Sequence, residues 1–285
     1  MFISVYKTTL KNLFRSVTFW LCFAVMVIVA IQNAMTGFHS VYNSELKELI
    51  NDTDPRYVLE YRTFIQWINN SVTMVLQYII PIFAVITTVI ILNRDYGDHF
   101  YEIEKAGGMK PSNYLFGKIT ALITVNYILS VTVNFLETNL YILTRNCVNG
   151  IDAWDSFWDS TVRLLRIDFF RILPCVVFYV CLTYFIGALF KSKIFAAVSG
   201  MGYAVFCYAF SLFSVKKSGL FVNYLTHNPM RLRNYFHYYD TEWFEDIIKT
   251  TNTSLTDAAL CISFLIGVGV LCSAASYLLI RKRST

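Results

Sequence analysis

The chain has 285 residues, of which 56% are apolar and only 15% are charged. Soluble proteins average about 45–50% apolar and about 25% charged residues, and a water-soluble globule of this size could not hide so much apolar surface. The composition therefore excludes a disordered chain, a nucleic-acid-binding module and an ordinary cytosolic enzyme. It predicts an all-α integral membrane protein that crosses the bilayer several times.

Six stretches are long and apolar enough to cross a bilayer, which requires about 20 mainly apolar residues in a helix. We therefore expect one transmembrane domain over residues 1–285 with six transmembrane helices. The predicted spans are 16–37, 72–92, 114–143, 170–190, 194–214 and 257–280. The segments between them are 38–71, 144–169 and 215–256 on one side of the membrane, and 93–113 and 191–193 on the other.

The distribution of Lys and Arg predicts the orientation of these spans, since cytoplasmic segments carry an excess of them. With both termini in the cytoplasm, the inner segments hold twelve cations and four acids, a net charge of +8, and the outer segments have a net charge of −3. The clusters at 191–193 and 281–283 mark two inner ends. We expect a multi-pass protein with both termini in the cytoplasm.

The first fifteen residues have the pattern of an amphipathic helix. Apolar residues share one helical face, and cations spaced by four lie at its edge. The apolar positions are Ile3, Tyr6, Leu10, Leu13 and Val17, and the cations are Lys7, Lys11 and Arg15. Such a helix is expected to lie along the inner membrane surface, close to anionic lipid. The alternative is a plain positive flank that sets the topology.

The inner loop 93–113 combines four acids with aromatic and apolar residues. Phe100, Ile103 and Glu104 would be neighbours on a short helix, which Gly107-Gly108 would end. Pro111 is suited to the first turn of the next helix. A short amphipathic helix at this place can insert into a groove of a soluble partner. The alternative is a solvated hairpin between two spans.

The inner loop contains Asp95, Gly97 and Glu102, followed by Pro111-Ser112 and then by Gly117-Lys118 at the start of span three. This series of motifs resembles the one in the permease subunits of ABC-2-type exporters. The end of span four, 184–193, and Asn228-Pro229 before the last span are also similar. The layout of spans agrees over nearly the whole chain.

The resemblance implies a mechanism in which two permease chains, identical or related, form the path and each docks a separate ABC-type ATPase subunit. The N-terminal helix would be an elbow helix, the loop between spans two and three would carry a coupling helix, and short outer helices would precede span six. The residues implied in partner binding are Asp95, Gly97, Phe100, Glu102, Ile103, Glu104 and Lys105. The chain has no G-x-x-x-x-G-K-[ST] motif, so ATP and magnesium are expected in the partner and no cofactor in this chain.

The same resemblance implies the plasma membrane of a bacterial cell and an amphipathic or apolar cargo, such as a peptide, a drug or a lipid. An aromatic and weakly polar interior suits such a cargo. No nucleic-acid partner, catalytic residue or metal ligand is predicted.

Span three contains four polar residues that lie on one side of a helical wheel. They are Asn126, Ser130, Asn134 and Glu137. Polar groups inside a membrane are costly and are often functional, so these residues are candidates for the wall of the translocation path. The alternative is hydrogen bonding between helices of one subunit.

Two other functions stay open at this point. A polytopic membrane enzyme would need acid, His or Cys groups that converge from several spans, and Glu137 is the one clear carboxylate within a span. An accessory or sensor protein would have the same spans without a transport path.

Overall fold

The computed structural model describes residues 1–45, 75–97, 106–149, 154–212 and 255–284, together with Pro229 and Leu232. These residues form helices and contain no strand. In chain order the α-helices are α1 (Phe2–Phe14), α2 (Val17–Glu45), α3 (Ile80–Leu92), α4 (Pro111–Asn149), α5 (Trp154–Phe190), α6 (Lys193–Leu212) and α7 (Leu255–Ser284). The all-helical class predicted from composition is confirmed for this part of the chain.

Five of the described helical segments have the length and the apolar character to cross a membrane. They are Val17–Ala34, Val75–Tyr96, Pro111–Glu137, Phe169–Phe190 and Ala259–Lys282. Each agrees with a stretch that hydropathy predicts. The apolar part of α6, Lys193–Cys207, is shorter, so a multi-pass membrane protein with five spanning helices is what the structure supports.

Helices α4 and α5 continue well beyond their apolar parts. Helix α4 has 39 residues and α5 has 37, which at about 1.5 Å per residue is nearly twice the bilayer core of about 30 Å. Most of the segment 144–169, expected as an outer loop, is therefore helical. Hydropathy detects only the part that needs a lipid environment, and a helix can continue into water with polar residues.

Two π-helical turns, Val75–Ile79 and Asn93–Gly97, flank α3. The first precedes Pro81, which has no N–H to donate to the preceding turn. The series of backbone hydrogen bonds is interrupted there, and the wider π turn accommodates the interruption. The second widens the end of α3 and changes the direction in which its side chains point. It contains Asp95, the acid of the candidate site described below.

Close helix contacts hold the bundle together. Helix α7 packs along α5, α3 packs between α5 and α6, and α1 and α2 pack on α4. Buried apolar side chains from all seven helices form one continuous core. At one contact the Cβ of an Ala at Gly269 would lie 2.7 Å from Cγ1 of Val177, so glycine permits α7 to approach α5. A Cβ at Gly267 would meet nothing within 4 Å.

The two-residue link between α5 and α6 places the start of α6 next to the end of α3. Lys191 has a φ of 51°, a left-handed conformation that reverses the chain direction. Ser192 then caps α6, since its Oγ accepts a hydrogen bond from the Phe195 N–H at 3.4 Å. Lys193 donates to Oδ1 of Asn93 at 2.6 Å. The ends of α3 and α5 and the start of α6 therefore lie at the same end of the bundle, which we call the Asp95 end.

Helix α1 is packed against the bundle by a face that overlaps only in part with the apolar face that sequence periodicity indicates. Val5, Thr9 and Leu13 are buried, and of these Leu13 alone belongs to the predicted face. Ile3, and Val17 at the start of α2, also belong to that face and are mostly exposed. The buried face is the one that fits the surface of α4. The exposed apolar residues remain available to a membrane.

Candidate functional site

An ion pair between Asp95 and Lys118 is buried at the Asp95 end of the bundle. Asp95 is 2% exposed and Lys118 is 3% exposed, and the ammonium of Lys118 donates a hydrogen bond to Oδ1 of Asp95. The hydroxyl of Tyr184 donates to Oδ2 at 3.5 Å. The Tyr114 ring centroid lies 3.9 Å from Nζ of Lys118, which adds a cation–π contact. The pair therefore joins α4 and α5 to the π turn after α3.

The local sequence explains how these groups meet. Tyr114 and Lys118 are four residues apart, so they lie one above the other on the same face of α4. The π turn directs Asp95 towards that face. Burying two charges costs several kcal/mol per ion unless the geometry is good and further hydrogen bonds are made. The contacts from the two tyrosines supply that compensation.

Helix α1 covers the ion pair. Thr8, Thr9 and Asn12 line a small internal space together with Asp95 and Lys118. The buried Thr9 hydroxyl donates to the Val5 carbonyl at 2.8 Å, so it does not interrupt the contact between α1 and the bundle. Four elements of the chain, α1, the π turn after α3, α4 and α5, therefore converge on one pair of charges.

The predicted partner-binding residues fall into two groups. Asp95 and Gly97 are described, and they lie in the π turn. Because the Asp95 carboxylate is buried against Lys118, it is not presented to a partner, and any effect on docking would be indirect. The remaining predicted residues, Phe100, Glu102, Ile103, Glu104 and Lys105, lie outside the described residues.

The motif Gly117-Lys118 includes Lys118, but the motif alone does not identify it as the partner of Asp95. The available signal was a single lysine near the start of a candidate span, Pro111–Glu137. A cation within a span is costly, so it requires an acid nearby, and Asp95 is the acid that lies within the preceding candidate span, Val75–Tyr96.

The four polar residues of α4 form a stripe that is buried inside the chain, and we call it the polar stripe. Asn126, Ser130, Asn134 and Glu137 are all at most 3% exposed. The Asn126 side chain donates to Oγ1 of Thr87 at 2.8 Å. Oε1 of Glu137 accepts a hydrogen bond from the side chain of Asn33 at 2.5 Å. Asn126 thus connects α4 to the middle of α3. Glu137, which lies farther from the Asp95 end, connects α4 to α2.

Hydrogen bonding of the polar stripe is incomplete within the described part of the chain. Oδ1 of Asn126, the Ser130 hydroxyl and Oε2 of Glu137 are buried and have no hydrogen-bond partner there. Two interhelical hydrogen bonds favour the packing role that the sequence left open. A role of the same residues in a translocation path stays a prediction.

Arg171 is a buried charge that is not among the site residues predicted from the sequence. It lies on α5 and is fully buried. The neighbouring Phe169 contacts Tyr127 of α4, with ring centroids 6.0 Å apart, so this part of α5 packs beside the polar stripe. The signal was again a single cation in an apolar run, between Phe170 and Ile172.

No protein-family model matches the chain, and no curated protein matches it. Function must therefore be argued from the residues themselves.

Of the predicted outer segment 215–256, the structure describes Pro229, Leu232 and the first two residues of α7. Pro229 and Leu232 are both buried. The Pro229 carbonyl accepts a weak hydrogen bond from the Cys175 thiol, at 3.7 Å. These two points of the segment are therefore fixed against the bundle. The short helices expected there lie outside the described residues.

We expect the Asn126–Thr87 hydrogen bond to contribute little to stability. Interhelical hydrogen bonds inside membranes average about 0.6 kcal/mol, because the unfolded chain in the bilayer also finds partners. A double-mutant cycle with Asn126→Val and Thr87→Val, followed by unfolding in detergent micelles, measures this coupling. A coupling energy well above about 1.7 kcal/mol, the largest value typical of such bonds, would contradict the expectation of a small contribution.

Proposed function

We propose that this chain is the membrane-spanning permease subunit of an ATP-driven exporter of the ABC-2 type. It would form the translocation path with a second permease chain and dock a separate ATPase subunit. The cargo would be an amphipathic or apolar molecule such as a peptide, a drug or a lipid. The observation that carries the proposal is the buried Asp95–Lys118 pair at the base of the segment in which the coupling helix is expected.

The position of the ion pair suits a mechanical connection. Residues 98–105, the centre of the proposed coupling segment, follow the π turn that contains Asp95. On the other side, Gly108 has a φ of 75°, a conformation typical of a residue that ends a helix, and α4 begins at Pro111. Both ends of the segment are thus attached to the first turns of α4, one through the chain and the other through Lys118.

Such an attachment would let a displacement of the segment move the spanning helices. A buried ion pair resists separation because each charge would be left without its counter-charge in a low-dielectric interior. Movement of the segment would therefore be passed to α4 and, through Tyr184, to α5. The small space lined by Thr8 and Asn12 brings α1 into the same unit, which supports its proposed role as an elbow helix.

The six-span arrangement with cytoplasmic termini belongs to this proposal. Helix α6 has 20 residues, about 30 Å at 1.5 Å per residue, and would be the fifth of six spans. The charge asymmetry between the two sides supports cytoplasmic termini. Exposed apolar residues on α2, among them Leu21 and Ile28, would face lipid or the second permease chain.

The proposed coupling helix can be tested in the full-length chain purified from its native membrane. We expect the double variant Phe100→Ala/Glu102→Lys to lose both a co-purifying ABC-type ATPase and ATP hydrolysis. Loss of an aromatic anchor at an interface commonly costs about 2 kcal/mol or more, and a reversed charge adds repulsion. The measurements are mass spectrometry of the purified complex and its rate of ATP hydrolysis at equal expression.

The matched control is Phe64→Ala/Glu60→Lys in the predicted outer loop 38–71. It likewise removes one aromatic residue and reverses one acid, but on the predicted opposite side of the membrane, so the ATPase should be retained. If the wild-type chain carries no ATPase, or if the coupling variant behaves like the control, the exporter proposal is wrong.

A further inference from the structure

A groove at the Asp95 end of the bundle combines cations with an apolar floor. It has a volume of about 480 Å³ and lies where the junction of α1 and α2, the end of α3 and the start of α6 meet. Arg15, Arg94 and Lys193 each contribute to its wall, whereas Val89 and Ile90 line its apolar part. None of the described residues that line the groove is acidic. The groove therefore attracts a negatively charged group.

The polar groups of the wall suit a phosphate. Arg presents a fork of N–H donors to phosphate oxygens, and Lys adds a compact charge. Lys193 is already oriented by its hydrogen bond to Asn93, at 2.6 Å from Nζ to Oδ1. An ammonium has three donors, so this bond leaves others for a ligand.

The apolar part of the groove indicates that the ligand has a hydrocarbon portion. Val89 and Ile90 belong to Val75–Tyr96, one of the segments that can span a membrane. Trp20, one helical turn from the groove residue Ser16, is half exposed, and its indole N–H donates to the Phe14 carbonyl at 2.8 Å. A half-exposed Trp with its polar edge satisfied is typical of the boundary between lipid and water. The groove is therefore at the depth of lipid headgroups.

We propose that this groove binds one anionic phospholipid, with its phosphate between Arg15, Arg94 and Lys193 and an acyl chain against Val89 and Ile90. Basic pockets between spanning helices are suited to anionic headgroups. The bound lipid would connect α1 to α3 and α6, beside the ion pair. This site does not depend on a transport function, so its failure and the failure of the exporter proposal are separate results.

The site can be tested on the delipidated full-length protein by native mass spectrometry with added lipid. We expect phosphatidylglycerol to bind about tenfold or more tightly than phosphatidylcholine, because the quaternary ammonium of phosphatidylcholine is repelled by the cations of the groove and leaves that lipid without net charge. The variant Arg15→Gln/Lys193→Gln should lose this preference. It leaves Arg94, next to the buried Asp95, unchanged. If the double variant does not fold, the two single variants should each reduce the preference.

The control variant is Lys7→Gln/Lys110→Gln, which removes the same charge from exposed positions outside the groove, and it should keep the preference. Equal binding of the two lipids by the wild type, or an unchanged preference in the groove variant, would overturn the proposal. A further arm uses inorganic phosphate and glycerol 3-phosphate. If either competes with phosphatidylglycerol at equal concentration, the groove is a site for a soluble anion and the lipid assignment is wrong.

Discussion

Replacing Lys118 by Met is expected to destabilise the protein strongly. Removing one partner of a buried ion pair typically costs about 3–5 kcal/mol, because the other charge stays buried without compensation. Asp95 is 2% exposed and would lose its counter-charge, although neutral hydrogen bonds such as the 3.5 Å one from Tyr184 would remain. The melting temperature of the detergent-solubilised protein, followed by size-exclusion chromatography after heating, should fall by several degrees.

The double variant Asp95→Asn/Lys118→Met tests whether Lys118→Met destabilises the protein by breaking the ion pair or by altering the packing at position 118. Replacing both members of a buried pair by neutral groups of similar size is often close to neutral for stability, so the double variant should recover most of what Lys118→Met loses. The control Lys110→Met removes an exposed lysine just before α4, and surface substitutions usually stay within about 0.5 kcal/mol. A double variant that is less stable than either single variant would contradict the assignment of the pair.

The same double variant also has a functional consequence under the exporter proposal. It should fold and insert, yet it should transmit motion of the coupling segment poorly, because an amide and a thioether form neither an ion pair nor more than a weak hydrogen bond. Restored stability together with reduced coupling would separate the structural role of the pair from its mechanical role.

Substituting Gly117 by Ala is expected to displace α1 from the bundle. A Cβ at Gly117 would lie 2.9 Å from Cβ of Val5 and 3.3 Å from the carbonyl oxygen of Phe2. Neither atom belongs to the flexible end of a side chain, so the backbone of α1 must move. Overpacking of this kind costs about 1–3 kcal/mol. The melting temperature should fall accordingly.

Displacement of α1 can be observed directly with a cysteine in place of Thr9, which lies on the buried face of α1 and is 2% exposed. Maleimide labelling of Thr9→Cys should be slow in the wild-type background and fast when Gly117→Ala is present. The matched control is Gly267→Ala, where a Cβ meets nothing within 4 Å. That change should stabilise helix α7 by about 1 kcal/mol through helix propensity. Slow labelling of position 9 in both backgrounds would show that α1 is not held at Gly117.

Hydropathy and periodicity predicted the helical class and the approximate position of each spanning segment. These properties are local, because a bilayer requires about 20 apolar residues in a row wherever the chain crosses it. The break at Gly107-Gly108, the start of α4 at Pro111 and the tight link near Lys191 were predicted for the same reason. Each depends on the backbone preferences of a few adjacent residues.

The candidate site was only partly visible in the sequence. The polar stripe followed from spacing alone, because residues four apart share one helical face. Which helices it faces did not follow: Thr87 and Asn33 are 39 and 104 residues away from their partners in the chain. The resemblance drew attention to Asp95, but its burial opposite Lys118 requires the π turn, which no hydropathy pattern signals.

The amino-acid sequence by itself determined that this chain is a helical membrane protein, where its spans lie and which face of α4 is polar. Only the tertiary structure decided which polar groups meet. The rotation and tilt of each helix are fixed by close contacts such as Gly117 on Val5 and Gly269 against Val177. A rotation of 100° per residue moves a side chain from the core to the lipid within one or two positions. The pairing of Asp95 with Lys118, the burial of Arg171 and the face that α1 presents to α4 are therefore properties of the packed bundle.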